Sequence, residues 1–498
     1  MKKTNRIFEP KTLFAYAAAI VFLIAILSAC KKNEPNAGEK NETATKTPDD
    51  VLYTADYLPE ADYGEYEFRI ATIRDDRFPM RTEFDVESED AAEVFNDAIY
   101  KRNRLIESRY NVTFKDIAIP GGVGGASQNF RKIAKADSDD FDMHMLICRE
   151  AFSMALEGLI VPVSLLEYLD TAKPWYAQQI NLDISIGGKL FFAYSDECIN
   201  MFEFAFITLF NKNLISDLGM ENVYDLVDSG KWTIDKYFEM AAEATINTDG
   251  DKIYDENGRY GIVTAADWFY SNFWIGAGIK TVMKDNEGLP YFDGYNNMKL
   301  DTVLNKVYDC VFGGKRILID AYDIKSIDPY SDSRKIFSDG NALFLSASVG
   351  DIQFLREMDY NFGIAPIPKY DETQPKYYTR TADGWINVVP CNAPDLGRTS
   401  VIMEALAIES KNFTLPAYYE IALKSKHLRD EDSERMLDLI YDTRTMDPGD
   451  AIWMDLVRNT YLAEYTAKRN TFASAVEKKL PSIEKAINKA IESFADLG

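Results

Sequence analysis

The stretches EFRIATIR (67–74), NVTFKDIAI (111–119) and FDMHMLIC (141–148) decide the fold class. Each is a short apolar run of the kind that forms a buried strand. The segment 89–110, between the first two, has apolar residues at helical spacing, and a second helix is predicted near 127–136. Strand, helix, strand, helix, strand is typical of a parallel α/β layer.

A glycine-rich segment, PGGVGGAS (120–127), follows the second of these strands. It lacks the GK[ST] ending of a phosphate loop and the GxGxxG spacing of a dinucleotide site, and it does not follow the first strand. The sequence therefore predicts a flexible turn here rather than a nucleotide site.

The N-terminus has the basic, apolar, small-residue order of a secretory signal. Four basic residues precede an apolar segment that begins at Leu13 and ends in Leu27-Ser28-Ala29-Cys30. This tetrapeptide resembles the bacterial lipobox, which implies cleavage before Cys30 and a thioether-linked diacylglycerol on its sulfur. An uncleaved signal anchor is the alternative, because about 20 residues span a bilayer. Both interpretations place the rest of the chain outside the cytoplasm.

The chain as a whole is strongly acidic. Its 498 residues carry a net charge of −25, and removal of 1–29, with four basic residues and one acidic residue, leaves −28. This charge argues against nucleic acid or anionic lipid as a partner. It is compatible with a neutral or cationic ligand, although a solvated acidic surface is the simpler explanation of the charge. Residues 31–50 have almost nothing to bury and are predicted to be a disordered tether.

Few residues suit covalent or metal chemistry. Beyond Cys30 the cysteines are Cys148, Cys198, Cys310 and Cys391, widely spread, and there are only two histidines. This spacing excludes a small disulfide scaffold and a zinc site. The sequence has no GxSxG and no HExxH. A carboxylate pair for glycoside hydrolysis remains an alternative, since there are 80 acidic residues.

The middle of the chain carries a family resemblance. GKLFFAYSD (188–196), ITLFNKNLI (207–215) and KWTIDKYFEMAAEA (231–244), in this order, resemble the bacterial extracellular solute-binding proteins of family 1. These are the substrate-capturing lipoproteins of ABC importers, related to maltose-binding protein. The supporting stretches are DENGRYGI (255–262), IFSDGNALFLSAS (336–348), NFGIAPIPKY (361–370) and TADGWINVVP (381–390). The resemblance extends from about residue 66 to the end of the chain.

The resemblance implies an α/β, periplasmic-binding-protein-like fold of type II, with two discontinuous lobes, a hinge and an interlobe cleft. By position, the expected parts are a lipoprotein signal peptide (1–29), a lipidated cysteine with its tether (30–61), lobe 1 (62–203 plus 367–412) and lobe 2 (204–366 plus 413–498). The C-terminal part, rich in Glu, Lys, Ala and Leu at helical spacing, supports this assignment independently.

A binding protein of this kind needs aromatic walls and a few directed polar groups in its cleft. Loops after the carboxyl ends of strands are the natural positions in open α/β sheets. The predicted ligand-binding residues are Arg74, Asp75, Asp76, Arg149, Glu150, Glu203, Trp268, Tyr270, Ser346, Ser348, Asp383 and Trp385. Each also has a structural explanation, such as capping for Asp75 and Asp76 or core packing for Tyr270. Trp232 is predicted to pack in the core.

The loop NTDGDKIYDENG (247–258) has a weak resemblance to an EF-hand loop. Asn247, Asp249, Asp251 and Asp255 take its first, third, fifth and ninth positions, but the sixth is not glycine and the twelfth is not glutamate. A weak structural calcium site and an acidic surface turn are both compatible with the pattern, and the departures favour the turn. No other cofactor is expected.

These observations predict a lipid-anchored, extracytoplasmic binding component of an ABC importer. Its expected partners are a small ligand, most simply a sugar or oligosaccharide, and the permease subunits; no enzymatic activity is expected. Two alternatives stay open, a surface glycoside hydrolase and a solute sensor of the same fold that takes no part in transport.

Overall fold

The opening strands form the parallel layer that the sequence predicts. In the computed structural model, β1 (Tyr66–Ile73) pairs in parallel with β2 (Val112–Ile119) on one side and β3 (Met143–Ile147) on the other. A strand from much later in the chain, β12 (Trp385–Val388), pairs antiparallel with β3. The first sheet therefore has the order β12-β3-β1-β2.

The structure describes residues 52–73, 84, 94–246, 258–265, 268–314, 316–324, 328–382, 384–423 and 430–495.

The glycine-rich segment after β2 is helical, and this corrects the prediction of a flexible turn. The helix runs over Gly122–Lys135 and not from about residue 127, and Gly121 before it has φ +89°. A Cβ on Gly125 would lie 2.1 Å from the carbonyl oxygen of Pro120. The glycines therefore permit a tight passage from β2 into the helix, where a side chain would collide with the backbone.

A second sheet has five strands in the order β10-β4-β9-β5-β8. Its strands are β4 (Phe206–Asn211), β5 (Tyr260–Thr264), β8 (Leu318–Asp320), β9 (Ala342–Ser348) and β10 (Phe362–Ala365). The strand β5 runs parallel to β8 and β9, whereas β4 runs antiparallel to β9 and β10. The carboxyl ends of β5, β8 and β9 therefore share one edge of this sheet.

Helices pack around the two sheets. They are α1 (Val94–Tyr110), α2 (Gly122–Lys135), α3 (Cys148–Ala155), α4 (Gln178–Ile184), α5 (Ile199–Glu203), α6 (Lys212–Asp217), α7 (Val223–Asp228), α8 (Ile234–Ala244), α9 (Tyr270–Gly276), α10 (Met298–Phe312), α11 (Pro329–Ser338), α12 (Leu396–Glu409), α13 (Leu415–Leu423), α14 (Glu431–Asp442), α15 (Pro448–Ala451), α16 (Arg458–Thr466) and α17 (Phe472–Ala495). The described residues also include two short 3₁₀ segments, Val163–Leu165 and Val349–Leu355, and a π turn, Ser410–Thr414. Trp232 packs in the core, as predicted, and its indole N–H donates to the carbonyl oxygen of Pro366 at 2.8 Å.

Two short ladders lie outside the main sheets. One is the hairpin of β6 (Val282–Lys284) and β7 (Pro290–Phe292), and the other pairs β11 (Thr379–Arg380) with β13 (Arg444–Thr445) in parallel. Thr381, just after β11, bridges Ala205, just before β4. The chain passes from the first sheet to the second between β3 and β4, and it returns between β10 and β12. The lobe boundaries that the resemblance implies stay predictions.

Within the ranges that the structure describes, no helix is both long enough and apolar enough to span a membrane. The longest, α17, has polar residues on its exposed face and a proline, Pro481, inside it.

Candidate functional site

The helix α5 joins the edges of the two sheets. At the first sheet, Trp385 opens β12 opposite Ile147, the last residue of β3, and its backbone N–H donates to Oδ1 of Asn200 at 3.1 Å. At the second sheet, the backbone N–H of Val349 donates to the carbonyl oxygen of Ala205 at 2.9 Å. The carboxyl ends of β3 and β9 therefore meet at the segment 199–205, which is the position where ligands bind in open α/β folds.

Half-buried aromatic rings cluster at this edge of the second sheet. Trp268 follows β5, and its ring centroid lies 4.4 Å from that of Tyr330, 5.6 Å from Phe206 and 6.4 Å from Phe204. Phe204, Trp268 and Tyr330 are each partly exposed. We call these three residues the aromatic wall. Rings of this kind offer apolar faces to a ligand while their edges and polar atoms remain hydrated.

The two predicted serines support this wall from behind. The hydroxyl of Ser346 donates to the carbonyl oxygen of Trp268 at 3.1 Å and accepts from the amide of Asn272 at 3.2 Å. The hydroxyl of Ser348 donates to Asp351 Oδ2 at 3.0 Å, as part of a capping box at the end of β9. Both serines are buried. Their hydroxyls therefore hold the loop of Trp268 and the turn after β9.

The predicted charged residues lie near the same junction, in different environments. Glu203 ends α5, is half-buried, and accepts a hydrogen bond from the Asn200 amide at 3.3 Å. Arg149 is half-buried in the first turn of α3, directly after β3. Glu150 points toward the neighbouring helix α2, where its carboxylate lies 3.5 Å from Arg131.

Trp385 is buried, with only 3% of its surface exposed. Its indole nitrogen is also buried and has no hydrogen-bond partner within the described ranges. Its backbone joins β12 to α5, so Trp385 links the first sheet to the junction.

Tyr270 lies at a separate place from Trp268, although only one residue separates them in the sequence. Its ring stacks on that of Tyr465, with centroids 3.7 Å apart and planes at 5°. It lines a cavity of about 580 Å³ beside β8. Burial, followed by the nearby carboxylates of Asp320 and Asp323, raises the pKa of the Tyr270 phenol.

Several predicted residues lie outside the described ranges. They are Cys30, Arg74, Asp75, Asp76, Asp383, Asn247, Asp249, Asp251 and Asp255. Their roles, including lipidation and the weak calcium site, stay predictions. In the part of the chain that the structure describes, no group of three or more His, Cys, Asp or Glu side chains could hold a metal ion.

Two residues of the aromatic wall were missed by the sequence reasoning. Phe204 directly follows Glu203 at the predicted crossing, so the apolar run around it already pointed to this position. Tyr330 is in the first turn of α11, in DPYSDS, where nothing in the local pattern indicates that this tyrosine packs against Trp268.

No protein-family model matches the sequence, and no curated protein matches it either. Solved structures do match. A cyclo/maltodextrin-binding protein complexed with maltotetraose has a TM-score of 0.54 and 14% identity, over 84% of this chain and 97% of its own. UgpB from Mycobacterium tuberculosis in complex with glycerophosphocholine has a TM-score of 0.54 and 16% identity, over 86% and 98%.

A third match is an ABC substrate-binding protein from Listeria monocytogenes in complex with cycloalternan. Its TM-score is 0.54, with 12% identity over 86% of this chain and 99% of its own. At identities this low the similarity is one of fold, and it covers nearly the whole of each matched protein. The chain has the periplasmic-binding-protein-like fold of these ABC solute-binding proteins.

Proposed function

We propose that this protein is the substrate-binding component of an ABC importer and that its ligand is a saccharide. The fold supports a binding role, because the solved proteins that share it include a maltotetraose complex and a cycloalternan complex. The observation that carries the proposal is the aromatic wall beside the junction of the two sheets.

The chemistry of the wall favours a saccharide over other small ligands. The flat faces of Trp268 and Tyr330 suit the C–H face of a pyranose ring. Glu203 and Asn200, beside the wall, offer a carboxylate and an amide to hydroxyl groups, and hydrogen bonds to a charged partner are the stronger ones. A net charge of −25 favours a neutral ligand of this kind over an anionic one.

Capture would proceed by hinge closure. The bridge between Ala205 and Thr381 joins the two segments that cross between the sheets, and β11 lies on the second of them. Rotation about these short segments would bring the first sheet, with Arg149, toward the aromatic wall. A ligand favours closure only by the contacts that it gains in the closed state. The ligand is released unchanged.

The lipidated Cys30 would hold the protein at the outer face of the cytoplasmic membrane, within reach of the permease subunits. Two or three acyl chains give stable anchoring, whereas a single chain binds only reversibly. Two permease reading frames beside the gene would support import, and a gene without such neighbours would favour a sensor.

A thermal-shift screen tests the saccharide class. The purified protein is heated with mono- and oligosaccharides, amines and peptides, and a ligand of the folded state raises the melting temperature by mass action. We expect saccharides alone to raise it, and chromatography to recover the bound saccharide intact. A shift with amines or peptides only would contradict the saccharide class, and conversion of the saccharide would favour the hydrolase.

A further inference from the structure

The cavity beside β8 is built from parts of the chain that the aromatic wall does not use. It encloses about 580 Å³ between β8, α10 and α16. This volume lies inside the range of about 300–1,000 Å³ that is usual for small-molecule sites. Its lining mixes apolar side chains with residues that carry planar polar groups, among them Arg316, Asp320, Arg458 and Asn459.

A tyrosine pair fixes one side of the cavity. Tyr465 is fully buried, and its hydroxyl donates to the carbonyl oxygen of Leu304 at 3.0 Å. Tyr270 stacks on it in parallel, and this contact restricts rotation of the Tyr270 ring. The Tyr270 hydroxyl makes no hydrogen bond within the described chain and is not among the fully buried polar atoms. Tyr270 and Tyr465 both line the cavity, so the stacked pair forms one of its walls.

The polar groups around this hydroxyl suit a polyhydroxylated ligand. The carboxylates of Asp320 and Asp323 lie close enough to Tyr270 to raise the pKa of its phenol, after the larger effect of burial. The Arg316 guanidinium lies 3.4 Å from Asp323, which brings a donor and an acceptor to the same rim. Neighbouring donors and acceptors on planar groups can bind vicinal hydroxyls in pairs.

The cavity is connected to the aromatic wall through two tyrosines. Tyr322 lines the cavity, is 50% exposed, and its hydroxyl lies 3.4 Å from that of Tyr330. Tyr330 in turn lies against Trp268, with centroids 4.4 Å apart. A path of aromatic residues therefore leads from the junction at α5, past Trp268 and Tyr330, to Tyr322 and the cavity.

We propose that this cavity is a further saccharide subsite and that the ligand is an oligosaccharide long enough to extend from the aromatic wall to Tyr270. This inference rests on the proposed function, since it assumes that the wall binds a sugar ring. It adds that the protein selects for chain length, and it assigns that selection to the residues of the cavity.

Two variants test the subsite without disturbing the wall. Tyr270→Phe removes the hydroxyl and keeps the stack on Tyr465. Gly314→Phe narrows the cavity, and it is tolerable because a Cβ at the exposed Gly314 has no atom within 4 Å. Tyr291→Phe, on the exposed hairpin strand β7, and Gly124→Phe, on α2, are the matched controls. Circular dichroism establishes that each variant is folded.

Calorimetry with the malto-, cello-, xylo- and manno-oligosaccharide series, from monomer to hexamer, gives the readout. We expect affinity to rise with chain length in the series that binds. Tyr270→Phe should weaken binding of the long members about 3- to 10-fold, the effect of one lost hydrogen bond. In Gly314→Phe the affinity should no longer increase with the chain length of the oligosaccharide. Both control variants should keep this increase.

The outcomes separate this inference from the proposed function. If a series binds but length has no effect, or both cavity variants bind the hexamer like the original protein, the subsite is wrong and the saccharide function stands. If no saccharide of any length binds, both proposals are overturned.

Discussion

Arg380 and Asp450 form a bidentate ion pair with no exposure to solvent. Nε of Arg380 lies 2.7 Å from Oδ2 of Asp450, and Nη2 lies 3.1 Å from Oδ1. The guanidinium also donates to Asn272 at 3.3 Å and lies 4.1 Å from the ring centroid of Phe206. The pair therefore ties β11 and α15 to the start of the second sheet, beside the segment that crosses from the first.

Breaking this pair should be costly. Asp450→Asn leaves the Arg380 guanidinium buried without its counter-charge, and loss of one partner of a buried pair costs about 3–5 kcal/mol. Urea denaturation measures the free energy of unfolding. The control is Arg435→Ala, which breaks an exposed pair with Asp228 and should cost less than about 1 kcal/mol. If the two variants lose the same free energy of unfolding, the buried pair stabilises the fold no more than an exposed pair does.

His144 should make the protein sensitive to acid. It is fully buried between Phe130 and Phe141, and burial lowers its pKa from 6.5 to about 4. The unfolded chain therefore binds a proton between pH 6.5 and pH 4 that the folded chain excludes. The folded protein loses up to about 3 kcal/mol as the pH falls through this window.

The variant His144→Phe isolates this contribution. Its free energy of unfolding relative to the original protein, measured in urea between pH 7 and pH 4, should rise as the pH falls. A difference that stays constant over this range would show that His144 titrates normally in the folded state.

Two neighbouring glycines of α2 should respond in opposite ways to alanine. A Cβ on Gly125 would lie 2.1 Å from the carbonyl oxygen of Pro120, whereas a Cβ on Gly124 has nothing within 4 Å. Gly124→Ala should stabilise the protein by about 0.5–1 kcal/mol, because alanine is the better helix former. Gly125→Ala should lower the melting temperature. If both substitutions stabilise the protein, the backbone at Gly125 has room for a Cβ and the close approach to Pro120 is wrong.

Trp268 should dominate saccharide affinity. Trp268→Ala removes the central ring of the aromatic wall, and truncation of an aromatic anchor typically costs about 2 kcal/mol or more, which is about 30-fold in Kd. Trp268→Phe keeps a ring and should retain most of the affinity. Calorimetry with the best saccharide from the screen measures the Kd of both variants. An unchanged Kd for the alanine variant would show that the aromatic wall is not part of the binding site.

Cys30 should decide where the protein resides. Cys30→Ser removes the sulfur that the lipid requires, so the protein should leave the detergent phase in Triton X-114 partitioning of whole cells. The original protein should remain in that phase and incorporate labelled palmitate. Retention of the serine variant in the detergent phase would favour an uncleaved signal anchor.

Much of the first sheet follows from local pattern. The runs around Phe68, Phe114 and Met145 are apolar and bounded by polar segments, and each forms a strand close to its predicted limits. The glycine segment after β2 was misread because glycine is equally compatible with a loose turn and a tight helix entry. Only the proximity of Gly125 to Pro120 distinguishes the two.

The candidate site was harder to predict, because distant segments build it. Trp268 and Tyr270 are two positions apart, yet one belongs to the wall and the other stacks on Tyr465 from α16. Tyr330 reaches Trp268 from α11. Local spacing indicates which residues are aromatic and which strand they follow, but not which later helix each will meet.

The pairing of Trp385 with Ile147 has a consequence for biosynthesis. Since β12 supplies the outer partner of β3, every fragment that stops before Trp385 leaves β3 with an unpaired backbone edge, which is a template for association with other chains. The N-terminal third of the polypeptide is therefore a poor unit to produce alone. During synthesis this edge stays open until most of the molecule has been made.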